Sequence, residues 1–300
     1  MIDALRQLDP RCRVTTIPLA SVLPKYGRKW FSGKKLVCTF CERKDHDVSF
    51  CPSKPYEPPP SGIIPFVEKV LAIPRVGSNC FSSLSLSEGS ALIQKMGEEF
   101  NEGNPWKGST LIYDQLRARL GFWRAIGASN AVISWLGYGV PMRFVQEPPY
   151  FAFPNHTCDE PEMSAYVAKD MKESIAAGYI IRAPPRSVRV SNPILCIKQG
   201  CKCRRCDDCR HCNSYQANSS FRMDSVKRDV PNMVLPGDIQ ITEELEKAYY
   251  KVPVAESARP YLGTFFEGLF YLAMVMLFGM CHTSRPLFRI VHCIVHDLPE

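Results

Sequence analysis

The first residues of the sequence lack the apolar run of a secretory signal. Residues 1–6 carry charges at Asp3 and Arg6, where a secretory signal needs an apolar run. We therefore expect an intracellular protein, cytoplasmic or nuclear, that is not secreted. Its 14 cysteines are then expected to be metal ligands or reduced thiols, because disulfides belong to oxidising compartments.

Long apolar runs are also scarce, and only residues 261–281 approach the length of a membrane span. This stretch has one charge, Glu267, in 21 residues, which is long enough to cross a bilayer. Glycines interrupt it, however, and Glu267-Gly268 is typical of a hairpin turn. We interpret it as a buried β-hairpin and expect no membrane partner.

Charge is present but unevenly distributed. The chain has 300 residues, 45% of them apolar, and a formal net charge of +7, which fits one large or two small domains. Residues 25–44 contain seven Lys or Arg and one Glu, so this region holds nearly all of the chain's net positive charge. A basic patch of this kind suits a polyanionic partner.

A set of metal-ligand residues overlaps the basic region. Cys38, Cys41, His46 and Cys51 have the spacing C-x2-C-x4-H-x4-C. Three thiolates and one imidazole can close the tetrahedral shell of a structural Zn²⁺, and metal binding would supply the folding energy of so short a segment. The spacing resembles the zinc knuckle of retroviral and retrotransposon nucleocapsids, which implies structural zinc as a cofactor.

The knuckle-like segment also carries groups suited to nucleic acid. Phe40 and Phe50 can offer faces on which unpaired bases stack. Neighbouring basic residues can contact phosphates: Lys34, Lys35, Arg43 and Lys44. Glu42 and Asp45 occupy positions where many family knuckles carry glycine, so the loop departs from the family there. The resemblance implies single-stranded RNA or DNA as a partner.

Proline and glycine divide the rest of the chain. Residues 51–65 contain six prolines, which predicts a semi-stiff spacer. We therefore divide the chain into a basic region with the knuckle (1–60), a spacer with a helical linker (61–128), and a third unit (129–300).

Three helices are predicted between the spacer and residue 178. Apolar residues recur at helical steps over residues 111–123. Ser129 is placed to cap a second helix that Gly139 would stop, and Pro161 and Gly178 bound a third.

Four motifs then follow in a fixed order. They resemble the reverse-transcriptase motifs R-x3-D-x-R-x2-N, D-L-x-x-A-Y, L-P-F-G and A-P-x-x-F, most closely those of DIRS-type retrotransposons. The matching positions are Arg204, Asp208, Arg210 and Asn213, then Glu244, Leu245, Ala248 and Tyr249, then 276–279, and finally Arg285, Pro286 and Phe288. The resemblance implies an α+β fold: a small zinc knuckle followed by partial fingers and palm, with an antiparallel sheet and packed helices.

The resemblance also assigns roles in nucleotide binding. Arg204 would contact the triphosphate of an incoming nucleotide, helped by Lys198 or Lys202, since guanidinium groups pair well with phosphate oxygens. Tyr249 would stack under the sugar and reject a 2′-hydroxyl. Phe278 would line the same pocket.

Catalysis by this chain is not expected. The family holds two Mg²⁺ ions with carboxylates, and its first metal-ligand position is an Asp where this sequence has Glu244. The other two carboxylates belong to a Y-x-D-D motif that does not occur here. Mg²⁺ would therefore serve only if the missing catalytic part were supplied by the rest of a polyprotein or by another chain that completes the palm.

A second group of cysteines leaves two interpretations open. Cys206, Cys209 and Cys212 could form another zinc site or an iron–sulfur site. The resemblance instead places them along a finger strand, where residues three apart face opposite sides and cannot converge on one metal.

These observations lead to three hypotheses. The first is a zinc-binding, nucleic-acid-binding fragment of a retrotransposon reverse transcriptase (RNA-directed DNA polymerase) that is not catalytically competent. The second is a domesticated zinc-knuckle protein that binds RNA or DNA and keeps a polymerase-like scaffold. The third is an incomplete gene product that would give no soluble folded protein above residue 130.

Overall fold

The fold is taken from a computed structural model, which describes residues 13–14, 64–75, 83–156, 158, 160–184, 186–200, 202–216 and 245–296. These residues form a mixed α/β structure in which helices pack on a mixed sheet. The helices are α1 (Ile64–Ala72), α2 (Leu86–Phe100), α3 (Asp114–Arg117), α4 (Leu120–Ala125), α5 (Asn130–Tyr138), α6 (Pro161–Ala176), α7 (Arg210–Ser214) and α8 (Ser284–His296).

Helix ends follow the capping signals in the sequence. The Ser129 hydroxyl accepts a hydrogen bond from the backbone N–H of Val132 at 3.4 Å, and Gly139 ends α5 with a φ of 91°, which confirms the predicted cap and stop. Helix α6 begins at Pro161 and is followed by Gly178 with a φ of 73°, also as predicted.

The single helix expected over residues 111–123 is wrong, because the chain breaks there into α3 and α4. Arg119, between the two, has a φ of −118° and a ψ of 26°, which is not helical. The break lets α4 approach α2 closely. A Cβ on Gly121 would lie 2.5 Å from the backbone N of Asn101 and 2.6 Å from the carbonyl O of Gly97.

The main sheet has six strands in the order β1-β2-β4-β7-β8-β3. The strands are β1 (Arg13–Val14), β2 (Phe151–Ala152), β3 (Ile180–Arg182), β4 (Val190–Asn192), β7 (Gly263–Phe266) and β8 (Leu269–Ala273). The neighbours among β1, β2, β4 and β7 are parallel, whereas β8 is antiparallel to β7 and to β3. The expectation of a purely antiparallel sheet is therefore corrected, because long crossovers between β2, β4 and β7 return the chain in the same direction.

Two hairpins complete the strand structure. Strands β5 (Ile194–Gln199) and β6 (Lys202–Asp207) form a separate antiparallel pair. Strands β7 and β8 are joined by a turn in which Glu267 and Gly268 have φ values of 44° and 81°, which confirms the predicted hairpin. Within the described part of the chain, no helix is both long and apolar enough to cross a membrane.

One cluster of buried side chains connects the helices with the strands. It contains Trp135 of α5, Met171 of α6, Leu262 before β7 and Met276 after β8. The β5–β6 hairpin contributes Ile194 and Cys196 to the same cluster. The hairpin and the turn after β8 are therefore fixed on one core.

Candidate nucleic-acid interface

Tyr249 and Phe278 lie against each other at the surface, and we call this pair the aromatic shelf. Their ring centroids are 5.7 Å apart and the ring planes make an angle of 73°, an edge-to-face contact. Phe278 is 53% exposed, and the Tyr249 hydroxyl lies 3.4 Å from the Ser284 hydroxyl at the start of α8. Residues 29 positions apart in the sequence thus present a half-exposed aromatic surface.

The turn that carries Phe278 is fixed by the buried residues around it. Met276 and Leu277 are 0% and 2% exposed and Met280 is 7% exposed, so Phe278 alone of these apolar side chains points outward. The reverse-transcriptase motif that this turn resembles has Pro where this chain has Leu277.

The turn also packs on the segment that joins β6 to α7. A Cβ on Gly279 would lie only 1.7 Å from the carbonyl O of Asp207, so only glycine fits. The Asn213 side-chain amide donates to the carbonyl O of Gly279 at 2.8 Å, and the backbone N–H of Cys281 donates to the Asn213 side-chain oxygen at 3.0 Å. The first and third of the matched motifs therefore meet in space.

The β5–β6 hairpin separates two of the predicted nucleotide-binding residues. Lys198 pairs with Cys203, whereas Arg204 pairs with Ile197. Directly opposed residues share a face and neighbours along a strand alternate, so Lys198 and Arg204 point to opposite faces. Lys202, two residues before Arg204, is on the Arg204 face and is also exposed.

Lys198 has carboxylate partners on its own face. Its ammonium lies 2.7 Å from a Glu160 carboxylate oxygen and 3.9 Å from one of Glu162. The hydrogen bond to Glu160 raises the pKa of Lys198. The expectation that Lys198 or Lys202 assists Arg204 on one triphosphate stays a prediction, and of the two lysines it is Lys202 that shares the Arg204 face.

Arg205, the neighbour of Arg204, is buried in a network that the sequence analysis missed. Its side chain is 1% exposed and lies 2.6 Å from Asp170 of α6 and 3.5 Å from Asp207. It also donates to the Tyr250 hydroxyl at 3.2 Å. Burial favours the neutral form of Arg205, but the carboxylate of Asp207, with that of Asp170, outweighs it and raises the pKa of Arg205.

Two other members of this network, Asp207 and Tyr250, also have shifted pKa values. Burial raises the pKa of Asp207, and burial raises the pKa of Tyr250 to about 12. The period-two alternation of β6 could have indicated an inward Arg205, but only the fold shows which carboxylates meet it.

Asp208 and Arg210 of the first motif form a pair beside His156. The Arg210 guanidinium donates to Asp208 at 2.7 Å, and the His156 Nε2 lies 3.1 Å from the other Asp208 oxygen. Although burial opposes it, hydrogen bonds from Arg210 and His156 lower the pKa of Asp208. These contacts stabilise the β6–α7 junction.

The cysteines near this junction lie on different elements. Cys206 lies in β6, whereas Cys209 precedes α7 and Cys212 lies within it, so the expectation of one continuous finger strand is corrected. Burial raises the pKa of all three thiols. Among the residues that the structure describes, no group of three or more His, Cys, Asp or Glu is arranged to hold a metal ion.

Several predicted site residues lie outside the described residues. These are Glu244, the knuckle ligands Cys38, Cys41, His46 and Cys51, and the nucleic-acid-binding positions Lys34, Lys35, Phe40, Arg43, Lys44 and Phe50. Their roles stay predictions from the sequence.

In comparisons with known proteins, no protein-family model matches this chain, and no curated protein matches it. The resemblance to reverse transcriptases therefore rests on the sequence motifs.

Proposed function

We propose that this chain is a zinc-binding and nucleic-acid-binding fragment of a retrotransposon reverse transcriptase, and that it does not polymerise efficiently by itself. The observation that carries the proposal is the contact between Tyr249 and Phe278, with Phe278 half exposed. Exposed aromatic rings are platforms on which unpaired bases stack, at about 1–3 kcal/mol per base. Arg204 and Lys202, on the exposed face of the neighbouring hairpin, supply positive charge for the phosphates.

The proposed lack of catalysis follows from the sequence. Glu244 stands at the first metal-ligand position, and the second carboxylate pair of the family does not occur in the chain. A two-metal site needs several hard oxygen ligands. Primer extension with Mg²⁺ or Mn²⁺ should therefore give no robust incorporation, and robust incorporation would refute this part of the proposal.

Binding is tested on the full chain by fluorescence anisotropy with labelled single-stranded RNA and DNA. Combined Tyr249→Ala and Phe278→Ala substitutions should weaken binding about tenfold or more, because each lost stacking contact costs on the order of 1–3 kcal/mol. Phe288→Ala, on an aromatic residue of α8, serves as a control. Unchanged affinity of the double variant would show that the shelf is not part of the binding surface.

A second candidate is a domesticated zinc-knuckle protein in which the polymerase-like part is a scaffold. Lys198, one of the two lysines expected to assist Arg204, lies on the opposite hairpin face. This favours the second candidate, because of the two lysines it leaves Lys202 alone to share a phosphate with Arg204. In that case a Cys38→Ser, Cys41→Ser variant should lose binding, as should zinc removal by a chelator, whereas Arg204→Ala should have no effect. Loss of affinity in Arg204→Ala would favour the first candidate.

A further inference from the structure

The two rings of the aromatic shelf come from different segments, and both segments are attached to one short stretch of chain. This stretch runs from Arg205 in β6 to Asn213 in α7, and we call it the clamp segment. The Tyr249 side of the shelf is attached through Arg205 and the Phe278 side through Asn213.

The attachment on the Phe278 side is a single side-chain amide that bridges two backbone groups. The Asn213 nitrogen donates to the Gly279 carbonyl at 2.8 Å, and its oxygen accepts from the Cys281 N–H at 3.0 Å. Both groups belong to the turn that presents Phe278. The amide therefore restrains the turn against rotation away from the clamp segment.

The attachment on the Tyr249 side passes through Tyr250. The Tyr250 hydroxyl meets the Arg205 guanidinium at 3.2 Å, and Asp170 holds Arg205 in place at 2.6 Å. Tyr250 also packs on Tyr179, with ring centroids 4.8 Å apart. Because Tyr249 and Tyr250 are adjacent in the 3-10 turn Ala248–Lys251, fixing one ring limits the directions open to the other.

We propose that Asn213 and Tyr250 are positioning residues of the shelf. Neither belongs to the shelf, yet together they set the relative placement of the Tyr249 and Phe278 rings and so the strength with which a nucleobase stacks there. This inference rests on the proposed function for its ligand, and it assigns to the clamp segment a role that the sequence motifs did not indicate.

The first test measures stacking directly. A single-stranded oligonucleotide containing 2-aminopurine loses fluorescence when that base stacks, so the full chain should quench it. Asn213→Asp keeps an oxygen to accept from Cys281 but replaces the donor to Gly279 with a second oxygen. We expect about fivefold weaker binding and loss of at least half of the quenching. Tyr250→Phe, which removes only the hydroxyl, should give a smaller loss in the same direction.

The chain offers a closely matched control in Asn104. Its side-chain nitrogen donates to the Arg117 carbonyl at 2.9 Å and its oxygen accepts from the Trp106 N–H at 2.9 Å. Like Asn213, Asn104 thus bridges a backbone carbonyl and a backbone N–H. It also donates to the Asn101 side-chain oxygen at 2.6 Å, and it lies among the helices α2 to α4. Asn104→Asp should lower the unfolding midpoint as Asn213→Asp does and leave quenching unchanged. Equal loss of quenching in both variants would overturn the inference.

A second test needs no ligand. Incorporation of 4-fluorophenylalanine at Phe278 gives one ¹⁹F resonance that reports the environment of that ring. Asn213→Asp and Tyr250→Phe should each shift or broaden it, whereas Asn104→Asp should not. A resonance unchanged by Asn213→Asp in the folded protein would overturn the positioning role.

The two tests separate the inference from the proposed function. If Tyr249→Ala with Phe278→Ala binds as the natural chain does, the proposed binding surface fails, and the ¹⁹F shift alone then decides the positioning role. If those substitutions abolish quenching but Asn213→Asp changes neither quenching nor the resonance, the binding surface stands and the positioning role is overturned.

Discussion

At the scale of single residues, His211 is a buried imidazole whose protonated, charged form has no solvent to stabilise it. It is 2% exposed, its ring stacks on Phe151 with centroids 4.5 Å apart, and its Nε2 has no hydrogen-bond partner among the described residues. Burial lowers the pKa of His211 to about 4. The neutral imidazole therefore packs as an aromatic residue of the core.

This environment makes stability depend on pH through His211. The folded pKa lies below the unfolded value, so the unfolded chain takes up the proton first and stability is lost as pH falls from about 6.5 to about 4. Replacing His211 with Phe should remove about 2–3 kcal/mol of this loss. Urea unfolding of the natural chain and the variant at pH 7 and pH 4.5 measures this difference. Protonation of carboxylates affects the two proteins alike and therefore cancels in the comparison. An equal pH dependence in the two proteins would contradict the assignment.

Gly279 illustrates a residue whose importance is steric. Gly279→Ala would drive a methyl group into the backbone of Asp207, 1.7 Å away, and should cost at least about 3 kcal/mol. Gly268→Ala is the control, because its Cβ meets nothing within 4 Å and only its φ of 81° is unfavourable, at about 1 kcal/mol. The midpoints of denaturant unfolding compare the stabilities of the two variants. A smaller loss at Gly279 than at Gly268 would show that the turn after β8 can move away from β6.

At the scale of elements, the β5–β6 hairpin is docked on α6 by the buried ion network of Arg205. Arg205→Leu would leave Asp170 and Asp207 facing each other without a cation, and loss of one partner from a buried pair costs about 3–5 kcal/mol. Arg204→Leu, one residue earlier on the exposed face, should change stability by less than about 0.5 kcal/mol. The free energy of unfolding of both variants at pH 7 decides this. Equal losses of stability in the two variants would contradict the assignment of Arg205 to a buried face and of Arg204 to an exposed face of β6.

Local signals account for the elements that the sequence predicted correctly. A capping Ser129, a terminating Gly178 and a Glu267-Gly268 turn each act within a few residues, so pattern alone places α5, α6 and the β7–β8 hairpin. The split between α3 and α4 depends on how closely Gly121 approaches α2, which no local pattern encodes. The parallel pairing of β2, β4 and β7 likewise arises from distant partners.

The candidate site, too, contains some features that the sequence predicted and others that depend on the fold. The resemblance to reverse transcriptases implied that Tyr249 and Phe278 line one pocket, and the structure brings their rings into contact. The sequence could not indicate that Lys198 and Arg204 lie on opposite faces of the hairpin, because the face of each residue depends on the register of β5 with β6. Arg205 and Asn213 acquire their roles only when β6, α7 and the turn after β8 meet.

At the scale of the whole molecule, the shared core connects elements on both sides of residue 128, where the sequence suggested a boundary. Helix α1 packs on α5, and a Cβ on Gly137 would lie 2.8 Å from the Val67 side chain. Trp135 belongs to the same buried cluster as Met276. A single core of this kind favours cooperative unfolding.

Cooperativity can be measured with the chain's own tryptophans. Trp106, Trp123 and Trp135 all lie among the helices α2 to α5 and are 7%, 4% and 1% exposed, so their fluorescence reports on that part. A Trp30→Phe background removes the fourth tryptophan of the sequence. Fluorescence and the ¹⁹F signal of 4-fluorophenylalanine at Phe278 should then follow one guanidinium transition with the same midpoint, because the helices and the shelf share a core. Two separated midpoints would instead place a domain boundary near residue 128, and the shelf would belong to a unit that folds apart from the helices.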